Sequence, residues 1–305
     1  MTTSGSLYPS ISIEWNLLTR SGDIKKYKEI YDTRMKYKKE KNPLQLPYKL
    51  ILNSSYGISR TKFSTACDFR NGRAICINGQ LMLLMLLEWV EQELPHLELL
   101  NANTDGIVFA MPKEDEDRYN SIIQRWEYVT RLKMSTDYIT AIAQRDVNNY
   151  VAVFDGGVWE RKGSVFKASS TLDYDLPIIQ NAVCEYFING VHPKTFIENE
   201  TRLMPFMKTF KVSSSYLHAV HNGQQLDGKV FRVFASKRRA DTPLFKAKDK
   251  GEKGIVLEKF ANSPRCYIDN SDITEKECPR YLDKQWYIDY AIKQINSVYG
   301  YDYLC

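Results

Sequence analysis

Hydrophobic positions along this chain recur with a helical spacing in some segments and with a strand spacing in others. A polar, basic segment at residues 23–40 predicts a solvent-facing helix, which Asn42-Pro43 ends. Pro47 suits the first turn of a second helix that ends near Gly57, so the two predict a basic helical hairpin. Residues 74–93 are apolar nearly all round, which predicts a buried helix packed against a sheet, with Gly79 allowing close approach.

The stretch NANTDGIVF at residues 101–109 predicts a strand, a tight turn and a second strand. A leucine-rich run precedes it, and Ile107, Val108 and Phe109 follow the bend. Asp105 is the carboxylate at the tip. By itself this pattern also fits an ordinary Asp-Gly turn. Upstream, residues 6–11 are apolar and aromatic, which predicts the tail of a strand entering a turn.

The remaining pattern predicts an α+β fold, an antiparallel sheet with packed helices. Residues 115–131 predict a helix, and residues 134–167 predict three short strands with turns at 155–157 and 162–163. Pro177 and Pro193 each begin a predicted helix, and residues 281–299 predict another. The basic segment at residues 224–259 has short β-like runs, and we expect a subdomain boundary near residues 169–175.

Length and charge fit a globular protein with a polyanionic partner. The 305 residues, 43% of them hydrophobic, suffice for one large domain or two subdomains. The net charge is only +5, but residues 20–49 and 229–259 each carry ten Lys or Arg against four acids. Two such segments favour contact with a polyanion. Two solvated basic faces are the alternative.

The six cysteines include no CxxC pair, so we expect free thiols in a reducing compartment and no metal-thiolate site. We also expect neither a signal peptide nor a membrane span, since the longest apolar run is residues 81–87. These features predict a soluble intracellular protein.

The predicted hairpin places cations and polar groups together. In KLILNSSYG at residues 49–57, Lys49, Asn53 and Tyr56 share one helix face. Arg34 and Lys38 lie four residues apart on the preceding helix. Three cations between two antiparallel helices suit a triphosphate, because Arg is a bidentate clamp and Lys a mobile point charge. A solvated basic face is the alternative.

Four strings now stand in a recognisable order: SLYPS at residues 6–10, Arg34 with Lys38, KLILNSSYG, and NTDGI at residues 103–107. Together they resemble the polymerase region of phage-type family B DNA polymerases. The resemblance implies a palm at residues 1–20 and 58–168, a two-helix fingers hairpin at residues 21–57, and a mainly helical thumb at residues 169–305. The implied activity is template-directed addition of dNTPs to a primer 3′-hydroxyl by two Mg²⁺ ions.

The resemblance also implies residue roles. Asp105 would be the catalytic, metal-binding carboxylate, and Tyr8 would pack under the deoxyribose. The triphosphate would contact the backbone at Ser6 and Leu7 and the side chains of Arg34, Lys38 and Lys49, while Asn53 and Tyr56 would border the nascent base pair. The DNA-binding residues would be Gly57, Thr104, Tyr150, Lys162, Gly163 and Lys167. For Tyr150, simple strand packing is the alternative, and Lys237-Arg238-Arg239 fits a duplex contact or a solvated loop equally.

The match departs from the family pattern at its first acid. The family places an Asp three residues before the Ser of SLYPS, and this chain has Thr3 there; Asn103 replaces another acid but still offers a carbonyl oxygen. We therefore expect a fragment that lacks the exonuclease domain and pairs with an upstream polypeptide carrying the missing Asp. The expected partners are primer-template DNA and dNTPs in the cytoplasm of a bacterial host. The alternatives are a catalytically inactive DNA-binding remnant and a structural protein with accidental resemblance.

Overall fold

The computed structural model describes residues 1–18, 23–167, 175–300 and 304. The chain folds as two compact units, Met1–Tyr138 and Ile139–Cys305. The subdomain boundary expected near residues 169–175 falls almost entirely outside the described residues. The division between the two units comes earlier, after Tyr138. The assignment of palm, fingers and thumb ranges stays a prediction.

The first unit contains an antiparallel sheet with the strand order β2-β3-β1-β4. Its helices and strands, in chain order, are β1 Thr2–Thr3, α1 Leu7–Glu14, α2 Ile24–Lys39, α3 Gln45–Ser59, α4 Phe69–Glu93, β2 Glu98–Ala102, β3 Gly106–Ala110, α5 Glu116–Thr130 and β4 Ser135–Thr136. The predicted hairpin at residues 101–109 is confirmed as β2 and β3.

The segment at residues 6–11 is helical, so the prediction of a strand tail there is wrong. The strand is the shorter β1, and α1 begins at Leu7 after a turn at Gly5 and Ser6. Leu7 and Ile11, one helical turn apart, are both buried in the core of the first unit. Pro9 lies in the first turn of α1, where its missing N–H costs no hydrogen bond.

The basic helical hairpin is confirmed as α2 and α3. The Asp23 side chain caps α2 by accepting hydrogen bonds from the backbone N–H groups of Lys25 and Lys26. Pro47 lies in the first turn of α3, as expected. The buried Tyr27 hydroxyl donates to the carbonyl oxygen of Leu52 at 3.1 Å, which joins the two helices.

Helix α4 is longer than predicted and is buried on one face only. Its buried residues include Met82 and Leu86, and it packs against α1 and α5. At Gly79 a Cβ would lie 3.3 Å from Leu7 Cδ2, so the expected close approach is to α1. The opposite face exposes Ile77, Leu81 and Leu84. By length and composition α4 could cross a membrane, although the core helix of a soluble protein passes the same test.

Replacing Gly106 with alanine is expected to destabilise the first unit. A Cβ at Gly106 would lie 2.6 Å from Thr3 Cγ2 and 2.9 Å from the carbonyl oxygen of Thr2, so β1 would have to shift. The expected loss is about 1–3 kcal/mol of unfolding free energy, measured by urea denaturation. Gly57→Ala is the control, since no atom of the described residues lies within 4 Å of a Cβ there. Equal stability of the two variants would contradict this close packing.

The second unit combines three sheets with three helices in the described residues. Its helices and strands, in chain order, are β5 Ile139–Asp146, β6 Asn149–Phe154, β7 Trp159–Lys162, α6 Pro177–Asn189, α7 Pro193–Asn199, β8 Lys208–Lys211, β9 His218–His221, β10 Gln224–Leu226, β11 Val230–Ala235, β12 Phe245–Asp249, β13 Ile255–Lys259, β14 Cys266–Ile268 and α8 Lys284–Tyr299. The sheet orders are β5-β6-β7, β14-β11-β8 and β10-β9-β12-β13.

The predicted helices at Pro177, Pro193 and the end of the chain are confirmed, as are the three strands β5 to β7. The prediction that residues 169–305 are mainly helical is wrong, because the described part of this range holds β8 to β14 as well. Most of these strands have three to five residues. The pairs β9–β10 and β12–β13 are hairpins, whereas β11 pairs with β8 and β14 across longer stretches of chain. Their hydrophobic pattern is too short to show a clear period.

Candidate nucleotide site

Asp105 lies at the exposed tip of the β2–β3 hairpin. Its carbonyl oxygen accepts a hydrogen bond from the backbone N–H of Ser4 at 2.8 Å, which ties the tip to the chain leaving β1. Its own N–H donates to the side-chain oxygen of Asn103 at 3.0 Å, and the Asn103 N–H donates to the Gly106 carbonyl at 2.9 Å. The carbonyl oxygen that Asn103 was expected to offer therefore supports the turn.

Thr3 stands directly beside the tip that carries Asp105. It pairs with Gly106 across β1 and β3 and with Ser135 across β1 and β4. The near-contact of Thr3 Cγ2 with Gly106 shows that this side chain packs on the glycine next to Asp105. The position at which the resemblance implies an acid thus lies beside Gly106 and holds a neutral side chain.

The donor groups at this tip do not fit two magnesium ions. Mg²⁺ prefers several hard oxygen ligands, and the described residues contain no cluster of three or more His, Cys, Asp or Glu side chains suited to a metal. Asp105 has the right chemistry for one ligand. Thr3 does not supply the second charge.

Arg34 is a buried cation that faces the loop between β1 and α1. Arg34 is only 5% exposed. Its Nη1 donates to the Ser6 hydroxyl and, at 3.3 Å, to the Gly5 carbonyl oxygen. The Nε atom is buried and has no hydrogen-bond partner among the residues that the structure describes. Burial lowers the pKa of the guanidinium, which nevertheless stays protonated. A buried cation with an unused donor favours an anionic ligand.

Lys38 reaches the same loop from one turn further along α2. A Cβ on Gly5 would lie 2.7 Å from Lys38 Nζ, so the ammonium group lies against the Gly5 backbone. Arg34 and Lys38 therefore meet at Gly5 and Ser6, where the resemblance puts the triphosphate. Lys49 lies on the exposed surface of α3.

The rings of Tyr8 and Tyr56 pack against each other. Their ring centroids are 4.6 Å apart, so α1 contacts α3 directly. Burial, the neighbouring Cys76 thiol and the charge of Asp105 all raise the pKa of Tyr8, which keeps its hydroxyl neutral. Asn53 is exposed one turn before Tyr56, on the same face.

Two side chains at this site were missed by reasoning from sequence. Arg60 Nη1 donates to the Tyr56 hydroxyl at 2.9 Å, and Cys76 Sγ lies 3.6 Å from the Tyr8 hydroxyl. The spacing of Tyr56 and Arg60, four residues apart near the end of a helix, was an available signal. No local signal could pair Cys76 with Tyr8.

The predicted DNA-binding residues have different environments. Gly57 and Thr104 are exposed in the first unit, and Lys167 is exposed in the second. Tyr150 is only 5% exposed, and its hydroxyl donates to Glu160 Oε1 at 2.8 Å, which favours the alternative of strand packing.

Lys162 and Gly163 lie at the end of β7. Lys162 Nζ is 5.8 Å from the Tyr150 ring centroid. Gly163 has φ +78°, and a Cβ there would lie 2.2 Å from the Asn148 carbonyl oxygen, so the fold itself requires glycine.

The side chains of the run Lys237-Arg238-Arg239 have different environments. Arg238 Nε donates to Asp241 Oδ2 at 2.9 Å, and its guanidinium lies 4.4 Å from the Tyr281 ring centroid, so this arginine stabilises the second unit. Lys237 and Arg239 are exposed.

In the described part of the chain, the free thiols are Cys67, Cys76, Cys184, Cys266 and Cys278. Cys305 lies outside the described residues.

The fold is similar to that of a family B DNA polymerase from the hyperthermophilic archaeon Pyrobaculum calidifontis. The match covers 97% of this chain and 44% of that polymerase, with a TM-score of 0.56 and 12% identity. In sequence, the chain is 39% identical over 72 residues to a DNA polymerase of Acidianus bottle-shaped virus (isolate Italy/Pozzuoli), over 21% of this chain and 11% of the viral protein. No family model matches the chain. The matches thus span less than half of the length of either polymerase, and the mixed fold of helices and antiparallel sheets is similar to that of the archaeal one.

Proposed function

We propose that this chain is the polymerase region of a phage-type family B DNA polymerase, working in the cytoplasm of the host cell. The proposed reaction is that of a DNA-directed DNA polymerase, in which dNTPs are added to a primer 3′-hydroxyl under the direction of a template. Support comes from the fold shared with a family B polymerase and the local identity to a viral polymerase. Primer-template DNA and dNTPs are the proposed partners.

The observation that carries this proposal is the buried guanidinium of Arg34. Isolated buried cations are costly, and this one has an unused donor among the described residues and points at a loop that Lys38 also reaches. A triphosphate would supply the missing charge and accept bidentate hydrogen bonds from the guanidinium. Lys49, on the exposed surface of the same helical hairpin, would add a further positive charge for the outer phosphate of the nucleotide.

The other side chains would select and orient the nucleotide. The Tyr8 ring, which contacts Tyr56, would pack under a deoxyribose and exclude a 2′-hydroxyl by its bulk. Asn53 and Tyr56 would border the nascent base pair, with Gly57 giving the template backbone close access.

Catalysis needs a second carboxylate, which we propose an upstream polypeptide supplies. The family's reaction uses two magnesium ions, and Asp105 with Thr3 does not hold them. In the described sheet β1 lies between β3 and β4 and pairs with both. A partner strand ending in Asp would therefore have to displace residues Thr2 and Thr3.

A catalytically inactive DNA-binding remnant is the second candidate. The observation that favours it is the packing of the neutral Thr3 on Gly106, at the place where the second acid would be needed. This remnant would retain the cation cluster at Gly5 and Ser6 and bind nucleotide and DNA without turnover.

Equilibrium dNTP binding and primer extension with magnesium test these proposals on the purified chain. We expect dNTP binding that Lys49→Ala weakens, and extension that is absent or very slow. Lys26→Ala, at an exposed position of α2, is the matched control. Absence of dNTP binding would contradict the proposed nucleotide site. Robust extension by the chain alone would contradict the need for a second carboxylate.

A further inference from the structure

Strand β13 is the outermost strand of the sheet β10-β9-β12-β13 among the residues that the structure describes. It pairs with β12 in an unbroken antiparallel register that runs from Asp249 opposite Ile255 to Phe245 opposite Lys259. No described strand lies along its other side. A strand in this position presents backbone N–H and C=O groups with which a further strand can pair.

The hydrogen bonds at the two ends of the β12–β13 hairpin show which backbone groups of β13 point outward. The Lys250 N–H donates to the Gly254 carbonyl at 3.0 Å, and the Phe260 N–H donates to the Leu244 carbonyl at 3.0 Å. Hydrogen-bonded pairs alternate along an antiparallel ladder, so every second residue between these two pairs bonds to β12. The residues of β13 whose N–H and C=O groups point away from β12 are Ile255, Leu257 and Lys259.

The outer edge of β13 carries exposed apolar side chains. Ile255 is 61% exposed and Leu257, the middle residue of the strand, is 51% exposed. Edge strands are commonly protected from pairing by a proline or a bulge, and β13 has neither. The opposite edge of the sheet, β10, has only three residues and begins with Gln224 and Gln225. The β13 edge is therefore the one better suited to a further strand.

The sequence of β13 is complementary to itself when two copies run antiparallel with Leu257 opposite Leu257. In this register Ile255 of one copy lies opposite Lys259 of the other. All the outward backbone groups then form hydrogen-bonded pairs, with about six hydrogen bonds in total. Leucine faces leucine, the aliphatic stem of the lysine can cover the isoleucine, and no two like charges stand directly opposite each other.

The charge of Glu258 is already compensated within its own chain. In the same register Glu258 lies opposite Val256, on the other face of the strand. Its carboxylate accepts a hydrogen bond from the Tyr216 hydroxyl at 2.8 Å and lies 3.1 Å from Lys250 Nζ. These contacts reduce the repulsion that two such carboxylates would otherwise bring to the pairing.

We propose that this chain forms a twofold-symmetric dimer in which the β13 strands of two copies pair and join their sheets. Self-pairing of one surface patch about a twofold axis is the commonest way in which identical chains associate. One pair of five-residue strands buries less than the about 800 Å² per partner of a typical specific interface. The dimer should therefore be weak, with a dissociation constant on the order of tens of micromolar. This proposal does not depend on the proposed polymerase function.

Sedimentation velocity of the full chain at about 1–300 µM, with neither DNA nor dNTP present, tests this proposal. We expect a monomer at the low end of this range and mostly dimer at the high end. Leu257→Lys should raise the dissociation constant at least about ten-fold, because two ammonium groups would then face each other across the twofold axis. Leu217→Lys is the matched control and should leave it unchanged, because Leu217 is 52% exposed in the same unit and lies outside β13.

Amide hydrogen exchange locates the contact within the dimer. The amides of Ile255, Leu257 and Lys259 should exchange about three- to five-fold more slowly at the highest concentration than at the lowest, because pairing removes them from water. The amides of Val256 and Glu258 already bond to β12, so their exchange should not depend on concentration in this way.

A chain that stays monomeric over the whole concentration range would overturn the proposal. This is also the result expected if the β13 edge serves a strand of a different protein. A dimer that Leu257→Lys and Leu217→Lys weaken equally, or one without added protection at β13, would overturn it as well. Absence of dNTP binding would contradict the proposed nucleotide site and leave the dimer proposal standing.

Discussion

Replacing Thr3 with aspartate is expected to give the chain magnesium-dependent primer extension. The new carboxylate would stand beside Asp105, because Thr3 pairs with Gly106 and packs on it. Two carboxylates can share divalent ions that one cannot hold, and such ions supply several kcal/mol of transition-state stabilisation. The expected gain in incorporation rate is on the order of a hundred- to a thousand-fold.

Thr3→Asn is the matched control for this gain, since it has the shape of aspartate without the charge. Adding Asp105→Asn to the Thr3→Asp variant should abolish extension again. Calorimetric titration with Mn²⁺ provides a second measurement that needs no DNA, and it should detect binding only in Thr3→Asp. If Thr3→Asp binds dNTP but is as inactive as Thr3→Asn, position 3 does not supply the missing ligand.

Replacing Arg34 with methionine is expected to abolish most dNTP binding without loss of stability. The variant removes hydrogen bonds to a charged ligand, each worth about 1.5–3 kcal/mol, so the dissociation constant should rise at least about ten-fold. It also removes a buried charge whose Nε has no partner in the described residues, which offsets the loss of the hydrogen bonds to Ser6 and Gly5, so the Tm should change little. Titration calorimetry and thermal melting measure the two effects.

Lys36→Met is the control for Arg34→Met, because Lys36 is exposed on the same helix. It should change neither dNTP affinity nor Tm. A Tm that falls by several degrees in Arg34→Met would mean that this guanidinium stabilises the fold instead of serving a ligand. Unchanged dNTP affinity would remove the main support for the proposed function.

Local signals in the sequence predicted the elements that carry the candidate site. The Asn103 to Gly106 turn, the Asn42-Pro43 break and Pro47 act within a few residues, so the β2–β3 hairpin and the α2–α3 hairpin could be predicted directly. Helix α1 could not, because its eight residues include several that also suit a strand. Strand β11 pairs with β8 and β14 at long range, which no local pattern encodes.

The sequence predicted which residues belong to the candidate site better than it predicted the contacts between them. The spacing of Arg34 and Lys38 placed both cations on one helix, but their meeting at Gly5 depends on how α2 packs near α1. The burial of Tyr150 and the use of Arg238 by Asp241 likewise follow from tertiary packing. Sequence pattern does not distinguish a cation that awaits a ligand from one that already has a partner.

The hydrogen bonds from Arg34 to Ser6 and Gly5 would make the proposed nucleotide binding an exchange of partners. A phosphate that takes this guanidinium competes with the loop that it already holds, so the measured affinity is the difference between two sets of contacts. The same contacts tie α2 to the start of α1. An incoming triphosphate would therefore loosen one attachment of the helical hairpin as it forms another, and substrate occupancy and hairpin position would change together.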